Sequence, residues 1–106
     1  MFQALELSLD LVRSLRRPVE RLRVRNRSLS EQIRRAASSI SLNLAEGRRR
    51  SGADRVHHWR IAAGSAEEVR TALRVALAWG DLPSAEVSEA LQLLDRLLAI
   101  TWRLTH

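Results

Sequence analysis

The residues best suited to chemistry lie mid-chain. Ser39, Asn43 and Glu46 are spaced by 4 and 3, and Ser65 and Glu68 by 3, so each set shares one side of a helix. A carboxylate buried there needs hydrogen bonds or a cation, or it stays protonated. Asn43 and Ser65 offer donors, and a neighbouring arginine offers charge. Glu46 and Glu68 thus form either a catalytic carboxylate pair or part of a polar network that fixes helix register and partner choice. The network is the favoured reading, because no nucleophile and no metal-ligand set accompanies the carboxylates. His57 and His58 are adjacent and leave a helix in different directions. Asp54 and His57 have ligand spacing, but a di-metal site in a bundle wants two Glu-x-x-His motifs and two further carboxylates. No metal and no cofactor is therefore expected, and a histidine near a phosphate contact is the better use of the pair. The chain has no P-loop, Gly-x-Gly-x-x-Gly, Gly-x-Ser-x-Gly or His-Glu-x-x-His motif. Nothing specific argues for an enzyme, and a non-enzymatic role is expected.

Charge is the next signal. All 18 basic side chains are arginine. Residues 1–60 hold 14 of them against 6 acids, and residues 61–106 hold 4 against 6, so the first part is strongly basic and the second mildly acidic. A basic half on a small protein points to a polyanionic partner, nucleic acid above all. The planar guanidinium donates two hydrogen bonds at once to phosphate. One group (Arg16, Arg17, Arg21, Arg23, Arg25, Arg27, Arg34 and Arg35) is expected near the end where the first two helices meet. A second (Arg48, Arg49, Arg50 and Arg55) is expected at the opposite end. Such clusters favour backbone contacts with little sequence readout. Salt bridges to Glu20, Glu31 and Glu46 claim some of them.

These residues need helices to position them. The 106 residues make one domain with one core. There is no cysteine, and no run of about 18 apolar residues that would span a membrane. Met1–Asp10 does not have the form of a signal peptide, so the cytoplasm is the expected location. The first helix is expected over about Gln3–Arg17, on a stripe of Leu5, Leu9, Val12 and Leu15, with Pro18 ending or kinking it. The second is expected to start with a capping box at Ser28 and Glu31. Its stripe is Leu29, Ile33, Ala36, Ala37, Ile40 and Leu44, and Gly47 is a possible C-cap. The third opens at Ser51-Gly52-Ala53-Asp54 and stops at Gly80. The fourth starts near Pro83. Short connections make neighbours antiparallel, which predicts an all-α, up-down four-helix bundle.

The third helix carries two stripes. Trp59, Ala63, Ala66, Arg70, Leu73 and Leu77 form a core face, flanked by Val56 and Ala62. Opposite lie Ile61, Ser65, Glu68, Ala72, Val75 and Trp79. Leu42 stands opposite the second helix's own stripe. A helix outside a monomeric bundle needs one stripe, so Leu42, Ile61, Ala72, Val75 and Trp79 are expected to form an interface in a closed homo-oligomer. Trp59, Trp79 and Trp102 all fall in apolar stripes and are expected to pack rather than to stack on bases.

The segment Gln32-Ile33-Arg34-Arg35-Ala36-Ala37-Ser38-Ser39-Ile40-Ser41-Leu42-Asn43-Leu44-Ala45-Glu46-Gly47 closely resembles the hallmark of the four-helix bundle family of 23S rRNA intervening-sequence proteins. A second hallmark, Ala63-Gly64-Ser65-Ala66-Glu67-Glu68, follows at the right distance. The family includes the accessory variability determinant of diversity-generating retroelements. The resemblance implies a four-helix bundle protomer. For the retroelement member it further implies a barrel-like homopentamer that binds nucleic acid and a reverse transcriptase. The chain departs from the common pattern at Ser41, where many relatives have proline, and this should straighten the second helix. The combined expectation is an oligomeric accessory protein binding RNA or DNA, with an adaptor docking a partner such as a reverse transcriptase as the alternative.

Overall fold

The computed structural model describes residues 1–106 and contains four helices and no strand. They are α1 (Gln3–Arg25), α2 (Arg27–Arg48), α3 (Gly52–Trp79) and α4 (Ser84–Thr105). Each packs on two neighbours, α1 on α2 and α4, and α3 on α2 and α4, so the helices form a closed square. Its extents of 42 × 22 × 21 Å are one helix long and two helices wide. With such short connections, consecutive helices run antiparallel, giving the expected up-down bundle. No helix is long and apolar enough to cross a membrane.

The α2 stripe is buried as predicted, from Leu29 through Ile33, Ala36, Ala37 and Ile40 to Leu44. The α1 stripe is not. Ala4, Leu7, Ser8, Leu11, Leu15, Pro18 and Leu22 face inward, Leu5 and Leu9 are half-buried, and Val12 is exposed. The inward row Leu7, Leu11, Leu15, Pro18 and Leu22 is itself apolar at helical spacing, and Ser8 beside it is buried with its hydroxyl satisfied. Its Oγ donates to the Leu5 carbonyl at 2.7 Å and lies 2.8 Å from Ser41 Oγ across the α1–α2 seam. Ser41 itself sits in an uninterrupted α2.

Pro18 neither ends nor visibly breaks α1, which continues to Arg25. Proline removes one ladder bond, at about 3 kcal/mol in a helix interior. Here its ring is fully buried and completes the row Leu15, Pro18, Leu22, so packing outweighs the local preference. The expected Arg-rich connector is consequently helical, and a single residue, Asn26, separates α1 from α2. Asn26, not Ser28, is the N-cap, accepting from the Leu29 N–H at 3.1 Å. Glu31 pairs with Arg27 rather than closing a capping box.

In α3 the buried row is Trp59, Ala62, Ala66, Val69, Leu73 and Ala76, with Ala72 beside it. Ala63 and Leu77 move to the edge, and Arg70 emerges there to meet Asp95 at 3.6 Å. Ser51 takes the N-cap position without a side-chain bond, and Asp54 binds Arg50 instead. Gly80, at φ +76°, ends α3 as expected; the left-handed turn lets its N–H and that of Asp81 reach the Leu77 and Ala76 carbonyls. Pro83 is the N-cap of α4.

Candidate nucleic-acid interface

The arginines divide by what they touch. At the end where α1 meets α2 and α3 meets α4, four are in ion pairs. Arg21 meets Glu86 at 2.9 Å, Arg25 meets Asp81 at 3.6 Å, Arg23 meets Glu20 at 3.4 Å and Arg27 meets Glu31 at 3.3 Å. The first two tie α1 to the α3–α4 corner. The Arg23–Glu20 and Arg27–Glu31 pairs are exposed on both sides and contribute little stability, whereas Glu86 and Asp81 are largely buried; each of the four pairs offsets a charge.

The opposite end is also occupied. Arg50 bridges Glu46 and Asp54, both at 2.8 Å, and Arg49 lies 3.9 Å from Glu46. The Arg50 hydrogen bond holds the Glu46 carboxyl below its ordinary range, against partial desolvation and helped by the charges of Arg50, Arg49 and His58. Arg55 closes the C-terminus of α2, donating to the Gly47 and Arg48 carbonyls at 3.0 Å each. Its guanidinium lies over the Trp59 ring, and that of Arg48 over Phe2.

Between the ends, Arg16, Arg17, Arg34 and Arg35 are exposed and meet no carboxylate within salt-bridge distance. Arg34 and Arg35 stand two turns into α2, on the flank and not at the end where the sequence placed them. Arg34 lines three adjoining grooves. One of about 350 Å³ lies along the α1–α2 seam with Arg16, Glu20 and Ser38. One of about 240 Å³ adds Arg23, Arg27 and Glu31. One of about 600 Å³ on the outer side of α2 adds Arg35, Ser39, Leu42 and Asn43. On this flank Arg16, Arg34 and Arg35 are exposed and free of carboxylate partners, with Glu20 and Glu31 beside them.

The central polar residues are only partly brought together. Asn43 Nδ2 donates to the Ser39 carbonyl and Oγ, and Ser65 Oγ donates to Ser39 Oγ at 2.9 Å across the α2–α3 seam. Glu46 and Glu68 are not members: Glu46 is taken by arginines, and Glu68 is exposed without an ion pair. Glu46 points toward the helix-connection arginines, where charge compensation is close at hand, and Glu68 points to water. The member missed is His58, whose Nδ1 lies 3.1 Å from Asn43 Oδ1. It was legible in principle. In an antiparallel pair joined at Arg49–Ser51, residues at similar distances from the connection face each other, as do Asn43 and His58. No group of three or more acidic, histidine or cysteine residues is arranged to hold a metal.

Leu42 (69% exposed), Ile61, Val75 and Trp79 (75% exposed) remain on the surface of α2 and α3. Ala72 does not: at 6% exposure it belongs to the core, because the α3 core row is turned toward it. Trp102 also departs from expectation. It is 62% exposed and its ring stacks on His106 rather than packing inside. Only Trp59 is a core tryptophan.

Residues 2–103 match the sequence model of a family described as 23S rRNA-intervening sequence protein. Among curated proteins, none matches the chain.

Proposed function

Since this chain belongs to the family of 23S rRNA-intervening sequence proteins, we propose that it is a non-enzymatic, RNA-associated protein that grips the phosphate backbone through the α1–α2 flank. The observation that carries this reading is the set Arg16, Arg34 and Arg35, guanidiniums without a carboxylate partner that line adjoining grooves. An arginine already in an ion pair must give that up to bind phosphate; these need not. Phosphate contacts without groove readout give little sequence preference. The protein works as a homo-oligomer that covers Leu42, Ile61, Val75 and Trp79, since so large an apolar side chain as Trp79 is otherwise left in water. Five copies is the number that the family resemblance suggests. Repeating the flank around a ring multiplies the positive surface.

The test is binding of nuclease-treated protein to structured RNA and to duplex DNA across a salt series. Tight binding with a steep negative dependence on salt is expected. The triple variant R16Q/R34Q/R35Q should bind several-fold more weakly, with a salt slope shallower by about 1 for each phosphate no longer neutralised. The R50Q variant should bind as wild type does. Absence of binding at low salt overturns the reading. The protein would then be an adaptor whose arginines meet an acidic partner protein such as a reverse transcriptase.

A further inference from the structure

Trp102 lies in the last turns of α4, 62% exposed, with the ring of His106 laid over its face. The His106 imidazole stacks on the indole with centroids 3.5 Å apart and planes 19° from parallel. That is the spacing and attitude of a stacked base. The imidazole is held there by local contacts only, its Nδ1 lying 3.1 Å from the Trp102 carbonyl and 3.1 Å from Thr105 Oγ1. Exposed and one helical turn from Trp102, it can be displaced at small cost.

Beside the stack runs a groove of about 580 Å³ between α3 and α4. Ala63 and Gly64 line its α3 side, and a Cβ at Gly64 would meet nothing within 4 Å, so there is room for a flat ring. Arg60 also lines it, meets no carboxylate, and donates to the Thr105 carbonyl at 3.3 Å. Glu67 is the one acid in the lining. Its charge turns phosphate away from its part of the groove and offers an acceptor to amino groups.

We propose that Trp102 is a stacking platform for one unpaired nucleobase, which takes the place of the His106 ring while Arg60 neutralises the adjoining phosphate. This deepens the RNA-associated reading, on which it rests, by assigning the ligand class: single-stranded or looped RNA, held by one base in addition to backbone contacts. Aromatic platforms of this kind tolerate any base, because every base has a π-face.

The experiment compares two probes, a single-stranded RNA oligonucleotide and an abasic strand of equal length, on wild type, W102A, H106A and R16Q/R34Q/R35Q. W102A should lose roughly 5- to 150-fold in affinity for the RNA, with an unchanged salt slope and unchanged binding of the abasic strand. H106A should bind RNA as tightly as wild type or more tightly. Circular dichroism of W102A should match wild type, since the ring is exposed. The triple arginine variant should weaken both probes in parallel. If W102A weakens both probes equally, or neither, the platform is overturned whatever the arginines do. If the arginine variant changes neither probe while W102A selectively weakens RNA, the flank reading fails and the platform stands.

Discussion

The side chain that Gly47 lacks would collide with the edge of the Trp59 ring. A Cβ at Gly47 would sit 2.6 Å from both Cδ1 and Nε1 of the indole and 3.1 Å from the Arg55 carbonyl oxygen. The same Nε1 donates to the Leu44 carbonyl at 3.2 Å in a buried bond. Gly47 is therefore a point of close helix approach and not a helix cap. It lets Trp59 reach the backbone of α2 and anchors the α2–α3 corner from which Arg48, Arg49, Arg50 and Arg55 project.

Gly47→Ala should destabilise the protein despite the better helix propensity of alanine, because neither the indole nor the Arg55 backbone can move without breaking the Trp59–Leu44 bond. Gly64→Ala is the control. Gly64 is exposed within α3 with open space where a Cβ would be, so alanine should stabilise by about 0.5–1 kcal/mol. That corresponds to a rise in Tm of a few degrees for a domain of this size, roughly 4–8 °C per kcal/mol. Thermal unfolding of the two variants checks the contrast, and equal shifts of one sign would refute the close approach.

Two candidate caps, Asn26 and Ser28, compete for the start of α2. Asn26→Ala should cost about 1 kcal/mol, the usual value for a lost N-cap, because Asn26 accepts from Leu29 N–H where the chain reverses on a single residue. Ser28→Ala should stay within about 0.5 kcal/mol of wild type, as expected for an exposed surface substitution. Chemical denaturation distinguishes them, and a larger loss at Ser28 would restore the capping-box reading.

Trp79→Glu should reduce the mass of the assembly in sedimentation equilibrium to that of a protomer while leaving helicity intact. The ring is exposed in the protomer, so the substitution opens no cavity; it places a charge in the proposed interface. A wild-type protein that sediments as a protomer, or a variant that keeps the wild-type assembly mass, would remove the interface.

The Glu46 carboxyl titrates below its ordinary value of 4.5 because Arg50 hydrogen-bonds to its charged form. A carboxylate whose folded pKa is depressed stabilises the fold above the unfolded pKa and loses that contribution as pH falls through the folded one. Below about pH 4.5, wild type should therefore lose stability more steeply than Glu46→Gln. The two curves should converge in acid and be furthest apart near neutrality. Parallel curves from pH 7 to pH 3 would show that the pair has no energetic role.

Much of the fold was legible in the chain alone. The α2 stripe from Leu29 to Leu44, the stop at Gly80 and the four-helix order follow from helical periodicity and local backbone preferences, which act over a few residues. So does the salt bridging of Glu20, Glu31 and Glu46, whose partners lie three or four residues away in sequence. The two hallmark segments carried the family as well.

What only tertiary structure decided is where local preference and packing disagree. Pro18 continues a helix because its ring fills the core. Ser8 is buried because Leu7, Leu11, Leu15 and Leu22 take the core side of α1 and Ser41 across the seam satisfies its hydroxyl. Gly47 packs against an indole 12 residues on, and Ala72 lies inside because α3 rotates toward small residues. The arginines divide into paired and free for the same reason. Arg21 and Arg25 meet Glu86 and Asp81, acids some 60 residues away in sequence, whereas Arg34 and Arg35 have no acid within salt-bridge distance, although Glu20 and Glu31 line the same grooves. Sequence spacing determines which side of a helix a residue occupies; which side faces a neighbour, and what that neighbour offers, is set by the energy of the whole packed bundle.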